Sequence, residues 1–577
     1  MLKKLQKICF RKINYYSLIL IIVASTAWST TMVKSGYAYT YGLGFWGANG
    51  HDGIWHIAVI ESLLRGSLNM PIFSGEPLQN YHLGFDIIIA VLHKLTFIPV
   101  ITLYFQLVPI LMSLGIGYAV YRFVLNWKKS HLAAFFSTFF VYFGGSLGWI
   151  ITLIKTGSFD GESTFWSQQS ISTLINPPFA LSILIIFVGL NSMLNGVSHT
   201  DKKSLTMSTL LFGILISIKV YAGILVLFAL FCSGMYKAVI AKKGINVLKI
   251  FSGALIVSLI VFLPFVNLNT TTIVWSPFWF LETMMQLSDR VGWEKFGAAM
   301  VNYKLAGNWI NGLIFYGFSL VLFIVGNLGT RIIGLGYITT RLFPKNKTDF
   351  IDIFMISLIL LGIIFPLFFV QSGTPWNTIQ FFYYVQIFAG VFAGIELATL
   401  INKKTVISVV LGLCVILFTL PTTITTLLYV YIPHRPPAML PLDELSALKY
   451  LSRQEEGVVL TYPFDQKAAS DAISNPPRPL YLYESTAYVS ALSKHDVYLE
   501  DEVNLNITGY DWPARRKEVD VFINTLNQND AQDFLRRNNI KYIYWVNGQR
   551  AKLGETQLGL IKIFENKSVN IYKVINQ

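Results

Sequence analysis

Residues 15–32 read YYSLILIIVASTAWSTTM, an apolar run ahead of which stand Lys3, Lys4, Lys7, Arg11 and Lys12. With the small residues Ser25, Thr26 and Ala27 the run has the outline of a secretory leader. Many apolar blocks of spanning length follow it, so it reads instead as an uncleaved first transmembrane helix with its basic end in the cytoplasm. That makes the chain a polytopic membrane protein. Composition agrees: the 577 residues are 54% hydrophobic, 15% aromatic and 13% charged, where a soluble globule carries about 25% charged residues. The net charge of +14 does not point to nucleic acid. Lys and Arg sit in short clusters between apolar blocks, as topology determinants do, with no basic face carrying interleaved aromatics. Cys9, Cys232 and Cys414 offer neither a disulfide framework nor a CxxC metal site.

The basic clusters set the topology. Arg122, Lys128 and Lys129 bring the chain back inside, so the second span is 99–121 and residues 33–98 form one long external loop. Further spans are expected at 132–154, 177–195, 205–219, 221–239, 246–266, 310–327, 351–370, 381–400 and 405–430. The inner turns between them hold Lys202 and Lys203, then Lys237, Lys242 and Lys243, then Arg331, Arg341, Lys345 and Lys347, and finally Lys403 and Lys404. The expected fold is a polytopic α-helical membrane protein of about 11 transmembrane helices, N-terminus in and C-terminus out, with a C-terminal extracytoplasmic α/β domain. The division falls at 1–432 and 433–577.

The external loops hold the chemistry. In the first, Asn49-Gly50-His51-Asp52-Gly53-Ile54-Trp55-His56 opens a helix of about thirteen residues ending at Arg65-Gly66. Ile54, Ile57, Ala58 and Leu64 recur at helical spacing, as on an interfacial helix lying flat on the membrane. Glu61 and Arg65 read as a solvated helix pair. The loop turns through Pro71, Gly75, Glu76 and Pro77 to a second interfacial helix beginning near Tyr81-His82-Leu83-Gly84-Phe85-Asp86. Asp52 and His56 are four apart, as are His82 and Asp86, so on a helix each pair shares a face. Packed together, the helices would gather two carboxylates and two imidazoles, able to hold a divalent cation or to position a general base. Asp52 would equally suit a helix first turn with no further role. Other external segments carry Glu162, Gln168 and Gln169, ending at Asn176-Pro177-Pro178; Trp275, Trp279 and Arg290; and the turn Gln371-Ser372-Gly373-Thr374-Pro375-Trp376-Asn377-Thr378-Ile379-Gln380. These suit an amphiphilic ligand with a charged head, or are belt aromatics and loop residues. Lys219, at the outer end of an apolar span, either snorkels or meets a phosphate.

From Pro433 the composition turns polar. Helices are expected at Asp443–Arg453 and Asp530–Asn538, strands at Gly457–Thr461, Asp496–Leu499 and Lys541–Val546, and a hairpin of Leu560–Glu565 with Val569–Val574. This is a domain of about 140 residues, without a phosphate loop, nucleophile elbow or metal spacing. Binding or scaffolding suits it better than catalysis.

The arrangement resembles the integral-membrane GT-C glycosyltransferases that use polyprenyl-phosphate sugars. The stretch Gly50-His51-Asp52…His56…Ser62-Leu63-Leu64-Arg65-Gly66 looks like that family's first-loop signature, and Tyr81-His82…Asp86 like the segment following it. The family's two adjacent acidic residues are here His51 and a single Asp52. The resemblance implies transfer of a sugar from a lipid-linked donor to a glycan, lipid or protein acceptor at the extracytoplasmic face, with membrane lipids as the other partners. Asp52 matches the family's catalytic acid residue, and would be the base of an inverting displacement. His51, His56, Glu76, His82 and Asp86 stand around it. Lys219, Arg290, Trp376, Asn377 and Gln380 are candidates for the donor phosphate, and Mg or Mn would sit at His56, His82 and Asp86. Lack of exported cysteines and the inside-positive bias fit a bacterial plasma membrane. Two other classes remain: a non-catalytic assembly or binding protein working through its C-terminal domain, and a lipid or sugar transporter, which should show midplane charges or broken helices.

Overall fold

The first helix runs Tyr15–Val33 in the computed structural model, which describes residues 13–240, 244–267, 273–342 and 348–575. Asn14 starts it, its side chain accepting from the Ser17 amide at 2.8 Å. The helix is packed into the bundle: buried Trp28 donates its Nε1 to the Tyr142 carbonyl at 2.9 Å, and Ser25 bonds the Tyr142 hydroxyl. At its far end the Lys34 ammonium donates to the carbonyls of Tyr431, Ile432 and Pro433 at 3.1, 2.9 and 2.7 Å. Those groups end the last long apolar helix, where carbonyls lack intrahelical partners and attract a cation. One lysine thus ties the first membrane segment to the last, on one face of the bundle.

Among the described residues nine helices are long and apolar enough to cross a membrane. The expected span 132–154 is a pair, His131–Phe143 and Gly148–Thr156, bent by 42° at its break. The expected span 205–219 is the helix Lys202–Ile218, 17 residues or about 26 Å long, packed between Pro177–His199 and Ile245–Phe262. After the first helix, eight apolar helices, the bent pair and Lys202–Ile218 separate the first loop from the C-terminal region. That is an even number of crossings, as two segments on one face require.

One inner-turn assignment is corrected. Arg331 lies inside a single apolar segment, Trp309–Leu342, where the backbone breaks at Gly329–Ile333. It is buried, its Nε donating to the Leu328 carbonyl and its Nη2 to the Asn327 carbonyl and to Gln169. Carbonyls freed by the break and a polar loop reaching in from residues 157–176 satisfy a charge that hydrocarbon could not. Cys9, the N-terminal basic residues, Lys242, Lys243, Lys345 and Lys347 lie outside the described residues.

The outer face is a composite of first loop and C-terminal region. Strands Ala38–Tyr39, Gly42–Phe45, Ala438–Pro441 and Arg478–Pro479 make one sheet, with Gly42 opposite Pro441 and Phe45 opposite Ala438. The loop backbone at Pro71–Ser74 bonds to Val497 and Glu500. Glu61 pairs with Lys494 at 3.1 Å and Arg65 with Asp496 at 2.6 Å, so the two are clamped by the C-terminal region rather than solvated together. A second sheet orders Val458–Thr461, Ile540–Val546, Val569–Val574 and Leu560–Glu565. The terminal hairpin stands where it was expected; the expected strand at Asp496–Leu499 is a single bridge from Val497 to Val459. Residues 273–305, read as loop, contain helices Trp279–Gln286 and Glu294–Leu305 and a strand, Ile273–Trp275, paired with Phe369–Gln371.

Candidate active site

The first-loop helix spans Asp52–Leu64, thirteen residues as the sequence suggests. It does not lie flat with one wet face. Every residue from Gly53 to Ser62 is buried, because the C-terminal helix Tyr488–Ser493 covers the side turned away from the bundle. His51 before it makes no side-chain capping bond. Asp52 occupies the first turn, where the positive end of the helix dipole favours a carboxylate. Its side chain is exposed, and among the described residues it accepts no hydrogen bond.

One turn on, His56 donates from Nδ1 to Asp86 Oδ1 at 2.8 Å, with the Tyr81 hydroxyl 3.2 Å from the same nitrogen. Trp55 Nε1 holds that hydroxyl at 2.9 Å. Asp86 is fully buried and its second oxygen has no partner. Burial pushes its carboxyl above the ordinary range, against the pull of His56. With Nδ1–H given to Asp86, the other imidazole nitrogen is left as an acceptor. His82 precedes the second helix, Gly84–Thr96, so it does not share a helical face with Asp86. Its ring stacks on Tyr81 with centroids 4.7 Å apart. Burial first, then the charges of Lys219 and His56, hold its pKa well below the usual histidine range, so the ring is neutral at pH 7.

Lys219 sits in the tight turn between helices Lys202–Ile218 and Val220–Val239. It does not snorkel: it is 5% exposed, with Nζ donating to Asn176 Oδ1 at 3.3 Å and lying 5.4 Å from the Tyr221 ring centre. Asn176 caps the Pro177–His199 helix by accepting from the Phe179 amide, and donates to Gln380 Oε1 at 3.4 Å. Gln380 donates to Asn377, which donates to Gln371 at 2.7 Å. These amides form one polar rail beside the ammonium.

Asp52, His56, His82, Lys219, Asn377 and Gln380 line a single cavity of about 330 Å³. Ile224, Phe262, Val266, Phe365 and Phe381 add apolar surface to the same cavity. The carboxylates of Asp52 and Asp86 both attract the Lys219 ammonium. Five candidates stand elsewhere. Asp86 is behind His56, and His51 faces the Tyr483 ring at 5.8 Å. Glu76 and Trp376 are exposed. Arg290 lies 4.2 Å over Trp166 and pairs with Asp289, on a segment whose carbonyls are held by Lys155. Asn176 and Gln371, which the sequence placed in external segments suited to a charged head group, also line the cavity, as do Tyr221 and Asn504. Asn504 carried no signal in the sequence, whereas Asn176 is a capping residue ahead of Pro177-Pro178.

The expected cation set is corrected too. Among the described residues no three His, Cys, Asp or Glu side chains group as a metal site. Asp86 spends an oxygen on His56 Nδ1, and the Lys219 ammonium lines the same cavity as His56 and His82. This donor set does not fit a divalent ion at His56, His82 and Asp86.

No family model matches the sequence, and a search of curated proteins finds no significant match. Among solved structures, the apo oligosaccharyltransferase of Archaeoglobus fulgidus is similar over 93% of this chain and 70% of its own, with 11% identity and a TM-score of 0.52. The same archaeal protein, AglB, with an inhibitory peptide and a dolichol-phosphate, aligns over 92% of this chain and 69% of its own at 12% identity and TM-score 0.50. Its complex with Zn and sulfate aligns over 91% and 68% at 12% identity and TM-score 0.50. Such likeness speaks to architecture, and in that respect it agrees with the helices and outer sheets described above. The chain shares the fold of the archaeal oligosaccharyltransferase over 92–93% of its length.

Proposed function

We propose that this protein is a membrane glycosyltransferase that moves a sugar from a polyprenyl-phosphate donor to an acceptor hydroxyl, with Asp52 as general base. The observation that carries the reading is one cavity lined by an unengaged carboxylate, a buried ammonium and several large apolar side chains. A lipid phosphate sugar has the matching parts: an anionic leaving group, a polar ring and a hydrocarbon tail. The acceptor O–H gives its proton to the Asp52 carboxylate as its oxygen bonds the anomeric carbon. The bond from that carbon to the phosphate oxygen breaks, its electron pair leaving with polyprenyl phosphate. Lys219 faces the charge that develops there, and the amides of Asn176, Asn377 and Gln380 orient the polar head. One displacement inverts the anomeric centre.

In this reading residues 433–577 act as an extracytoplasmic α/β domain on a transmembrane domain of 1–432, in a bacterial plasma membrane with the N-terminus inside. A neighbour's complex with dolichol-phosphate supports the donor class, and the neighbour's Zn complex keeps a metal within the test. The assay is transfer of labelled sugar from a panel of polyprenyl-phosphate donors by the purified chain, with and without chelator. One donor should turn over, and chelation should leave the rate unchanged because Lys219 supplies the positive charge. A rate that collapses with chelator would overturn that assignment of Lys219; lipid binding with no transfer from any donor would favour the non-catalytic class.

A further inference from the structure

A second opening lies on the far side of the Asp52 helix start, within the C-terminal region. An inner pocket of about 50 Å³ and an outer one of about 380 Å³ share Phe464, Glu484 and Glu502, so they form one groove. Its inner end reaches the first loop. Tyr483 on its wall faces the His51 ring, and Thr486 donates to the Gly50 carbonyl at 3.3 Å. The helix Glu502–Thr508 is a shared partition: Asp501 and Glu502 line the groove, while Asn504 and Ile507 line the Asp52 cavity. Burial and the negative charge of Asp52 push the Asp501 carboxyl up to about 7, against the hydrogen bond from Asn504.

The groove has a definite chemistry. The inner pocket is lined by the rings of Tyr462, Tyr481 and Tyr483 and by the carboxyls of Glu484, Glu500, Asp501 and Glu502, with no Lys or Arg. The two arginines of the outer pocket are engaged. Arg478 stacks 3.7 Å from the Tyr483 ring centre, and Arg516 binds Glu502 at 2.6 Å and the Phe464 carbonyl at 2.8 Å. Glu484 is exposed and accepts no hydrogen bond among the described residues. The Tyr462 and Tyr481 rings suit the C–H faces of sugar rings, and the unpartnered Glu484 carboxylate accepts from sugar hydroxyls. Burial pushes Glu500 and Asp501 up to about 8 and about 7, and Glu502 pairs with Arg516, so the groove carries little net charge and suits a neutral ligand better than a polyanion.

We infer that this groove is the acceptor subsite and that it takes a neutral glycan, whose terminal hydroxyl passes the His51–Tyr483 contact to reach Asp52. This rests on the transferase reading and names the acceptor class within it. The test is binding to the full chain in lipid nanodiscs, by saturation-transfer NMR and calorimetry. The probes are chitopentaose, maltopentaose, cellopentaose and mannopentaose, a glycerol-phosphate oligomer and an Ala/Ser/Thr dodecapeptide. Undecaprenyl phosphate binding is measured alongside. At least one neutral glycan should bind, weakened about tenfold by Glu484→Gln and by Tyr483→Ala, with undecaprenyl phosphate binding unchanged. Glu484→Gln is an exposed change, so the inference does not hang on whether Tyr483→Ala folds. Binding of none of the four glycans, glycan binding indifferent to Glu484→Gln, or preference for the phosphate oligomer or the peptide would overturn it. Loss of undecaprenyl phosphate binding in the wild-type chain would instead count against the donor reading, so the two failures are told apart.

Discussion

Asp86 never touches the cavity, yet it decides which nitrogen of His56 faces it. Its carboxylate accepts from Nδ1 at 2.8 Å in a fully buried position. Asp86→Asn keeps the shape and removes the charge, so the imidazole loses its fixed tautomer. The transfer rate should fall about 10–100-fold, with the donor KM within about twofold and the pH–rate profile displaced. A purely structural role would lower the amount of folded protein and leave the profile where it was. The Asp52–His56 pairing was legible because four-residue spacing on a helix puts two side chains on one face. The approach of Asp86 to His56 was expected from packing of the two helices; the placing of His82 was not, because the second helix starts only at Gly84, out of phase with it. Lys219 was legible as a charge in apolar surroundings; Asn504, an ordinary polar residue of the C-terminal region, gave no sign of the cavity it lines.

The strand Gly42–Phe45 couples the first loop to the C-terminal region, and Gly42 makes the coupling possible. Its φ is +133°, and a Cβ there would stand 1.9 Å from the Leu440 carbonyl oxygen. Backbone strain alone at such a position costs about 1–3 kcal/mol, and the contact adds to it. Gly42→Ala should therefore lower the melting temperature and speed proteolytic release of residues beyond Pro433, while undecaprenyl phosphate stays bound. Equal proteolysis of variant and parent would mean that this sheet does not hold the two parts together. Apolar spans and the terminal hairpin were readable because their patterns are local, helical runs in one case and alternation around a turn in the other. The Asp52–Leu64 helix, buried from Gly53 to Ser62, was misread as interfacial because its second covering surface, Tyr488–Ser493, lies more than four hundred residues away.

The protein as a whole combines a membrane bundle with an outer region whose buried carboxyls set its response to pH. Burial pushes Glu444 and Asp501 up to about 7 and Glu500 up to about 8. Each folded-state pKa lies above the unfolded value, so the native chain holds extra protons and loses that stability as pH rises through 7 to 8. His51, His82 and His495 are lowered, first by burial, and act the other way, only below about 6.5. Between about pH 6.5 and 8 these carboxyls, Glu500 above all, draw the stability down as pH rises. The melting temperature should fall across that window, and Glu500→Gln should flatten the fall; a flat parental curve would contradict these burial assignments. The alternation of basic clusters was enough to place the C-terminal region on the face of the first loop. Arg331 escaped it, since a charge count cannot see the helix break whose carbonyls receive the guanidinium. The central claim, that Asp52 is the base of a lipid-dependent sugar transfer, meets its most direct test in Asp52→Asn. The variant should bind undecaprenyl phosphate as the parent does and transfer sugar about 10²–10⁴-fold more slowly; transfer at the parental rate would contradict the account.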